Sequence, residues 1–213
     1  MANHFLRRQA NWEELYFYKK TDVLYQLTFA FTKRFLKMGD RTIDQMVQAA
    51  RSGKQNIAEG CADGVSSTEM EIKLINVARA SIKELKEDYE DYLIARQLSK
   101  WDEGHPRFNS LLDFCRQHND EKDYNDMYSK ASDEELANLA ITLCRQVDKM
   151  IITYLAQLEQ TFVEEGGIKE RTTAARQGRR QTQNEIIEAQ AHEIELLKKR
   201  INHLEEQLRQ RNR

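Results

Sequence analysis

Apolar residues recur at three- and four-residue steps over most of the chain, the spacing of helices that bury one stripe. The first such segment, about residues 12–38, carries Leu24, Leu27, Phe31, Phe35 and Met38 on one side. Gly39 and Asp40 end it, and Asp40 is suited to cap the next helix. The second segment, about residues 41–62, has the core stripe Ile43, Val47, Ala50, Ile57 and Cys61. A second stripe on it is small: Ala49, Gly53, Asn56 and Gly60. A glycine inside a helix costs about 1 kcal/mol against alanine, so this stripe predicts the close approach of another helix.

Asp63-Gly64-Val65 is a turn, and Ser66 with Glu69 reads as a capping box. The third helix is predicted to run to about residue 98, with Ile75, Ala78, Ile82, Leu85, Tyr89 and Tyr92 buried. Ala78, Ala80 and Ser81 on it are small enough to receive the small face of the second helix. Residues 99–131 are less regular. Gly104-His105-Pro106 is a break before a short helix over 106–118, and the polar stretch 119–126 reads as loop. Ser132 with Glu135 is another capping box. It opens a fourth long helix to about residue 162, with Leu136, Leu139, Leu143, Val147, Met150, Tyr154 and Leu158 on one side.

Gly166-Gly167 breaks the pattern. Residues 166–182 read as a basic linker, with Lys169, Arg171, Arg176, Arg179 and Arg180 set against Glu170. Residues 183–213 then adopt a heptad. Ile187, Ile194, Ile201 and Leu208 take position a, and Gln190, Leu197, Leu204 and Arg211 take position d. Isoleucine at a with leucine at d favours a parallel two-stranded coil. The flanking charges agree, since Glu193 faces Lys198 and Arg200 faces Glu205 of an identical partner. The expected architecture is therefore all-α: an up-down-up-down four-helix bundle over 1–165, with 99–131 as an insert, then the linker and a C-terminal coiled-coil helix.

Composition adds three points. The single proline and eight glycines suit long helices and not a sandwich or barrel. Cys61, Cys115 and Cys144 are odd in number and far apart, which predicts a reducing, cytoplasmic setting rather than a disulfide scaffold. No apolar run approaches the roughly 20 residues that span a bilayer, and no signal peptide is read at the N-terminus. The charge is uneven. Residues 1–167 hold 22 Lys+Arg and 28 Asp+Glu, a net of −6, whereas residues 168–213 hold 11 and 7, a net of +4.

Residues 45–60 read QMVQAARSGKQNIAEG, and residues 78–85 read ARASIKEL. These runs resemble the four-helix-bundle family of ribosomal RNA intervening-sequence proteins, to which the bacterial accessory variability proteins of diversity-generating retroelements belong. Gln45, Ala49, Ser52, Asn56, Ile57, Ala58, Glu59 and Gly60 match its pattern, as do Ala78, Arg79, Ser81, Glu84 and Leu85. The resemblance covers about residues 12–163, interrupted by 99–131. It implies a ring-like homo-oligomer, commonly a pentamer, with no catalysis. For the retroelement members it also implies binding to RNA or DNA and to a reverse transcriptase through a basic surface. The chain departs from the pattern at Gln48, where an arginine is usual, and within Gly53-Lys54-Gln55, where a proline is usual.

The candidate residues carry competing readings. Asn56 and Glu59 are a functional polar pair or a hydrogen-bonded helix contact. Gly53 and Gly60 read as packing glycines. Cys115 and His118 could begin a metal site, but no second pair lies at a matching spacing. The aromatic group Trp12, Tyr16, Phe17 and Tyr18 is core, oligomer edge or docking patch. Lys169, Arg171, Arg176, Arg179 and Arg180 either grip phosphates or form a solvated linker. No phosphate loop or nucleophile elbow occurs, so neither an enzyme nor a cofactor is expected. Two functions remain: an accessory protein that binds nucleic acid, or a pure protein scaffold assembled by bundle and coil.

Overall fold

The computed structural model describes Leu6 and residues 11–211, and those residues form helices and no strands. The chain divides into two units, Leu6–Gly167 and a second that contains the last helix. In the first unit α1 is Tyr16–Phe35, α2 Arg41–Asp63, α3 Thr68–Ala95, α4 Phe108–Gln117, α5 Asn125–Lys130 and α6 Asp133–Glu165. In the second, α7 is Ile168–Arg211.

Local chemistry sets the helix ends. Asp40 accepts from the Thr42 amide at 3.0 Å, and the preceding Gly39 takes the left-handed φ of +89° that a side chain would resist. The Ser132–Glu135 box is complete: the Ser132 hydroxyl accepts from the Glu135 amide, and the Glu135 carboxylate accepts from the Ser132 amide. The box expected at Ser66 is displaced by one residue. Ser67 caps α3 by accepting from the Met70 amide, while Ser66 donates to the Asp63 carbonyl and closes the turn. Helix α1 ends at Phe35, three residues short of expectation, so Met38 is fully exposed.

Each long helix of this unit packs on two others. Helix α1 touches α2 and α6, and α3 touches the same two. Across the core between α1 and α3, the Phe31 ring meets Tyr89 and Tyr92 edge-on, and the Tyr89 hydroxyl donates to Thr28 at 3.0 Å. The α3 stripe is buried as expected. The α2 stripe is rotated: Met46 is fully buried, whereas Ile43 and Val47 are only half-buried. The small face explains the rotation, because it turns α2 so that Ala49, Gly53 and Gly60 meet α3.

The region 99–131 is ordered by this core. It holds α4, a short 3-10 turn over Glu121–Asp123 within the stretch 119–126 that the sequence suggested as loop, and α5, which begins at the end of that stretch. Lys20 of α1 is fully buried, and its ammonium donates to the carbonyl of Cys115 and, at 3.1 Å, to that of His118. These lie at the C-terminal end of α4, where unpaired carbonyls and the helix dipole favour a cation.

Candidate nucleic-acid and self-association surface

The basic segment expected as a linker is helical and continuous with the heptads. Gly178 is its one helix breaker after Ile168, among Ala174, Ala175, Arg, Gln and Glu residues that favour helix. Continuity fixes where the basic side chains point. At about 100° per residue, Lys169, Arg176 and Arg180 fall within a sector of about 40°. All three are exposed, as is Arg179 beside them. Arg171 is half-buried and lies on the opposite side, so the structure separates it from the other four.

The heptad residues lie on the same helix. Ile187, Ile194, Leu197, Ile201, Leu204 and Leu208 are each between 44% and 59% exposed, an apolar stripe interrupted by Gln190 and of the kind that copies of a helix bury against each other. Carried toward the N-terminus without interruption, the a and d positions become Gln183, Arg180, Arg176, Thr173 and Lys169. The basic stripe and the apolar stripe are one line along α7. The charge is divided in the same way: residues 168–182 hold five Lys+Arg against one Asp+Glu, and residues 183–213 hold six of each.

The motif residues of α2 and α3 form a different surface. Ser52 and Ser81 meet hydroxyl to hydroxyl at 3.0 Å. Asn56 donates back to the Ser52 carbonyl at 2.9 Å and to its hydroxyl at 3.1 Å, while Glu59 is exposed. Asn56 thus braces its own helix. A methyl at Gly53 would stand 2.6 Å from Ile82 Cδ1, and one at Gly60 would stand 3.2 Å from Leu74 Cβ. Both glycines let α3 approach, whereas Ala80 is exposed and takes no part. Beside this contact Gln45, Gln48, Ser52, Ser81, Glu84 and Asp88 line a groove of about 410 Å³. Burial pushes the Asp88 carboxyl up, and Asp91, Glu84 and Glu87 push it further. Asp88 was not among the sequence candidates. Its signal was present, since Ser81, Glu84 and Asp88 repeat on α3 the spacing of Gln45, Gln48 and Ser52 on α2.

The remaining polar residues of the core serve packing. Cys115 is buried, and its thiol is pushed up to about 12 by desolvation. The His118 ring nitrogen lies 2.9 Å from the Phe114 carbonyl. The Tyr154 hydroxyl donates to the buried carboxylate of Glu71 at 2.5 Å, and Gly64 makes room for that carboxylate. Phe17 is buried, Trp12 and Tyr18 pack edge to face at the rim, and Tyr16 is exposed.

Among the described residues no group of three His, Cys, Asp or Glu side chains could hold a metal ion, and no helix is long and apolar enough to cross a membrane. No family model, curated protein or solved structure matches the chain.

Proposed function

We propose that this chain is a non-enzymatic, self-associating accessory protein that binds nucleic acid through the basic turns of α7. The observation that carries the reading is the shared line of basic and apolar positions on one uninterrupted, exposed helix. Such a helix brings copies together at one end and concentrates cationic side chains at the other. Binding is then electrostatic and independent of sequence, through neutralised phosphates and released counterions.

The first unit is read as an up-down-up-down bundle that further assembles copies into a ring. The pairwise packing of α1, α2, α3 and α6 and the short connections before α2 and α3 support that topology. The family resemblance supports the ring and adds a reverse transcriptase as a second partner. The acidic charge of residues 1–167 leaves the basic surface to α7. The same acidity, with the matched Glu193–Lys198 and Arg200–Glu205 pairs, favours a second reading, a protein scaffold with no nucleic-acid role.

Light scattering of the full chain with and without RNA or DNA, over a salt series, tests the first reading. A mass shift at low salt that fades steeply as salt rises is expected. No shift at low salt, with self-association intact, leaves the scaffold.

A further inference from the structure

We infer that two copies of α7 form a fork: a parallel coil over residues 187–208 whose basic arms, residues 168–182, diverge and straddle double-stranded DNA. The inference rests on the nucleic-acid reading above and names its substrate class.

The fork arises because one heptad line changes character along its length. From Ile187 to Leu208 the seam is apolar apart from Gln190, and the flanking charges pair Glu193 with Lys198 and Arg200 with Glu205 of the second copy. This end zips. At Arg180 and Arg176 the seam would place each guanidinium against its own copy, and at Lys169 two ammonium groups would meet. Like charges facing one another repel, and no apolar area compensates. The opposing residues here also offer no rescue, because Arg179 at position g would face Asn184 at position e. The two helices therefore part N-terminal to Ile187.

The parted arms fit a duplex better than the other nucleic-acid forms. Each arm is about 22 Å long and about 10–12 Å wide as a helix. The major groove of B-form DNA, about 12 Å wide, admits such a helix. The deep, narrow major groove of duplex RNA does not. Single strands are held largely by stacking on aromatic side chains, and residues 168–213 contain no Phe, Trp or Tyr. Cationic arms that diverge from an N-terminal position on a coiled coil are a known geometry for gripping a duplex. Lys169, Arg176, Arg179 and Arg180 of each copy are exposed, so a pair neutralises about eight phosphates and the log–log salt slope is about −7.

The test uses the full chain and labelled duplex DNA, duplex RNA and single-stranded DNA of one sequence, with binding followed by fluorescence anisotropy over roughly 50–200 mM salt. Duplex DNA is expected to bind tightest, with a slope of about −7. Arg176→Gln with Arg180→Gln leaves the apolar seam intact and should reduce the slope to about −3.6. Ile194→Asn with Ile201→Asn keeps every arm charge and leaves the first unit untouched but unzips the coil, so that a duplex engages one arm at a time, and should also halve the slope. Equal affinity for duplex RNA or the single strand overturns the fork while leaving nucleic-acid binding in place. Undiminished affinity and slope in the Ile194/Ile201 variant overturn it likewise. Saturable binding to polyglutamate but to none of the three nucleic acids overturns both readings and assigns the arms to an acidic protein.

Discussion

Arg79 Nε donates to Asp148 Oδ1 at 2.6 Å, so an arginine of the α3 motif fastens α3 to α6. Both side chains are a little over one-quarter exposed, which limits screening without isolating the pair from water. Exposed pairs contribute at most about 1 kcal/mol, and charge-assisted hydrogen bonds about 1.5–3 kcal/mol. Arg79→Ala or Asp148→Ala should each cost about 1 kcal/mol in urea unfolding. The double variant should cost little more than either single one, because both remove the same interaction.

Gly53→Ala should destabilise the first unit. The new methyl would stand 2.6 Å from Ile82 Cδ1, so a buried isoleucine must shift within a packed core. Overpacking costs about 1–3 kcal/mol, and the better helix propensity of alanine returns about 1 kcal/mol. A net loss of about 1 kcal/mol is expected, read as a lower urea midpoint with an unchanged slope. A higher midpoint would show that α2 and α3 are less tightly apposed than the distance indicates.

Acid should weaken the fold through Glu90. Burial pushes this carboxyl up, but Lys100 at 2.9 Å and Lys86 at 3.4 Å outweigh it and hold the group below the ordinary carboxylate range. A carboxylate depressed in the folded state binds its proton more readily when unfolded. Its contribution is therefore complete above the unfolded value and is lost as pH falls through the folded one. Glu90→Gln should lower stability at neutral pH and flatten the decline below about pH 4.5. Thermal melts from neutral to acid pH measure both.

The three cysteines should resist alkylation until the protein unfolds. All are buried, and desolvation pushes Cys61 up to about 11 and Cys115 up to about 12, with Cys144 also strongly raised. The thiolate is the reactive form, so almost none is present near neutral pH. Mass spectrometry after iodoacetamide treatment should find no adduct on the native chain and three after denaturation.

Helix existence was legible wherever apolar periodicity ran long, as in α3, whose predicted stripe from Ile75 to Tyr92 is buried throughout. Phase was less legible. Ile43 and Met46 are both apolar and three residues apart, and only the glycine contact with α3 decides which one faces inward. Local polarity also misled. The segment 168–182 reads as a linker by charge, yet helix propensity outweighs its charge in the absence of another breaker beside Gly178. Lys20 left no readable signal at all, because a lysine in an amphipathic helix ordinarily lies at the surface. Its burial depends on carbonyls that only the tertiary fold delivers.

That lysine also orders events in time. Its bonds to the Cys115 and His118 carbonyls join residues 95 and 98 positions apart. Closing a loop of that size costs about 4 kcal/mol of chain entropy before any bond forms. The short helices between α3 and α6 do not meet this cost by themselves, so the segment is expected to dock after α1 and α6 have come together. A segment held in this way is expected to join late in folding and, for the same physical reason, to detach first on unfolding. Substitutions at Lys20 should therefore speed unfolding while leaving the rate of folding nearly unchanged.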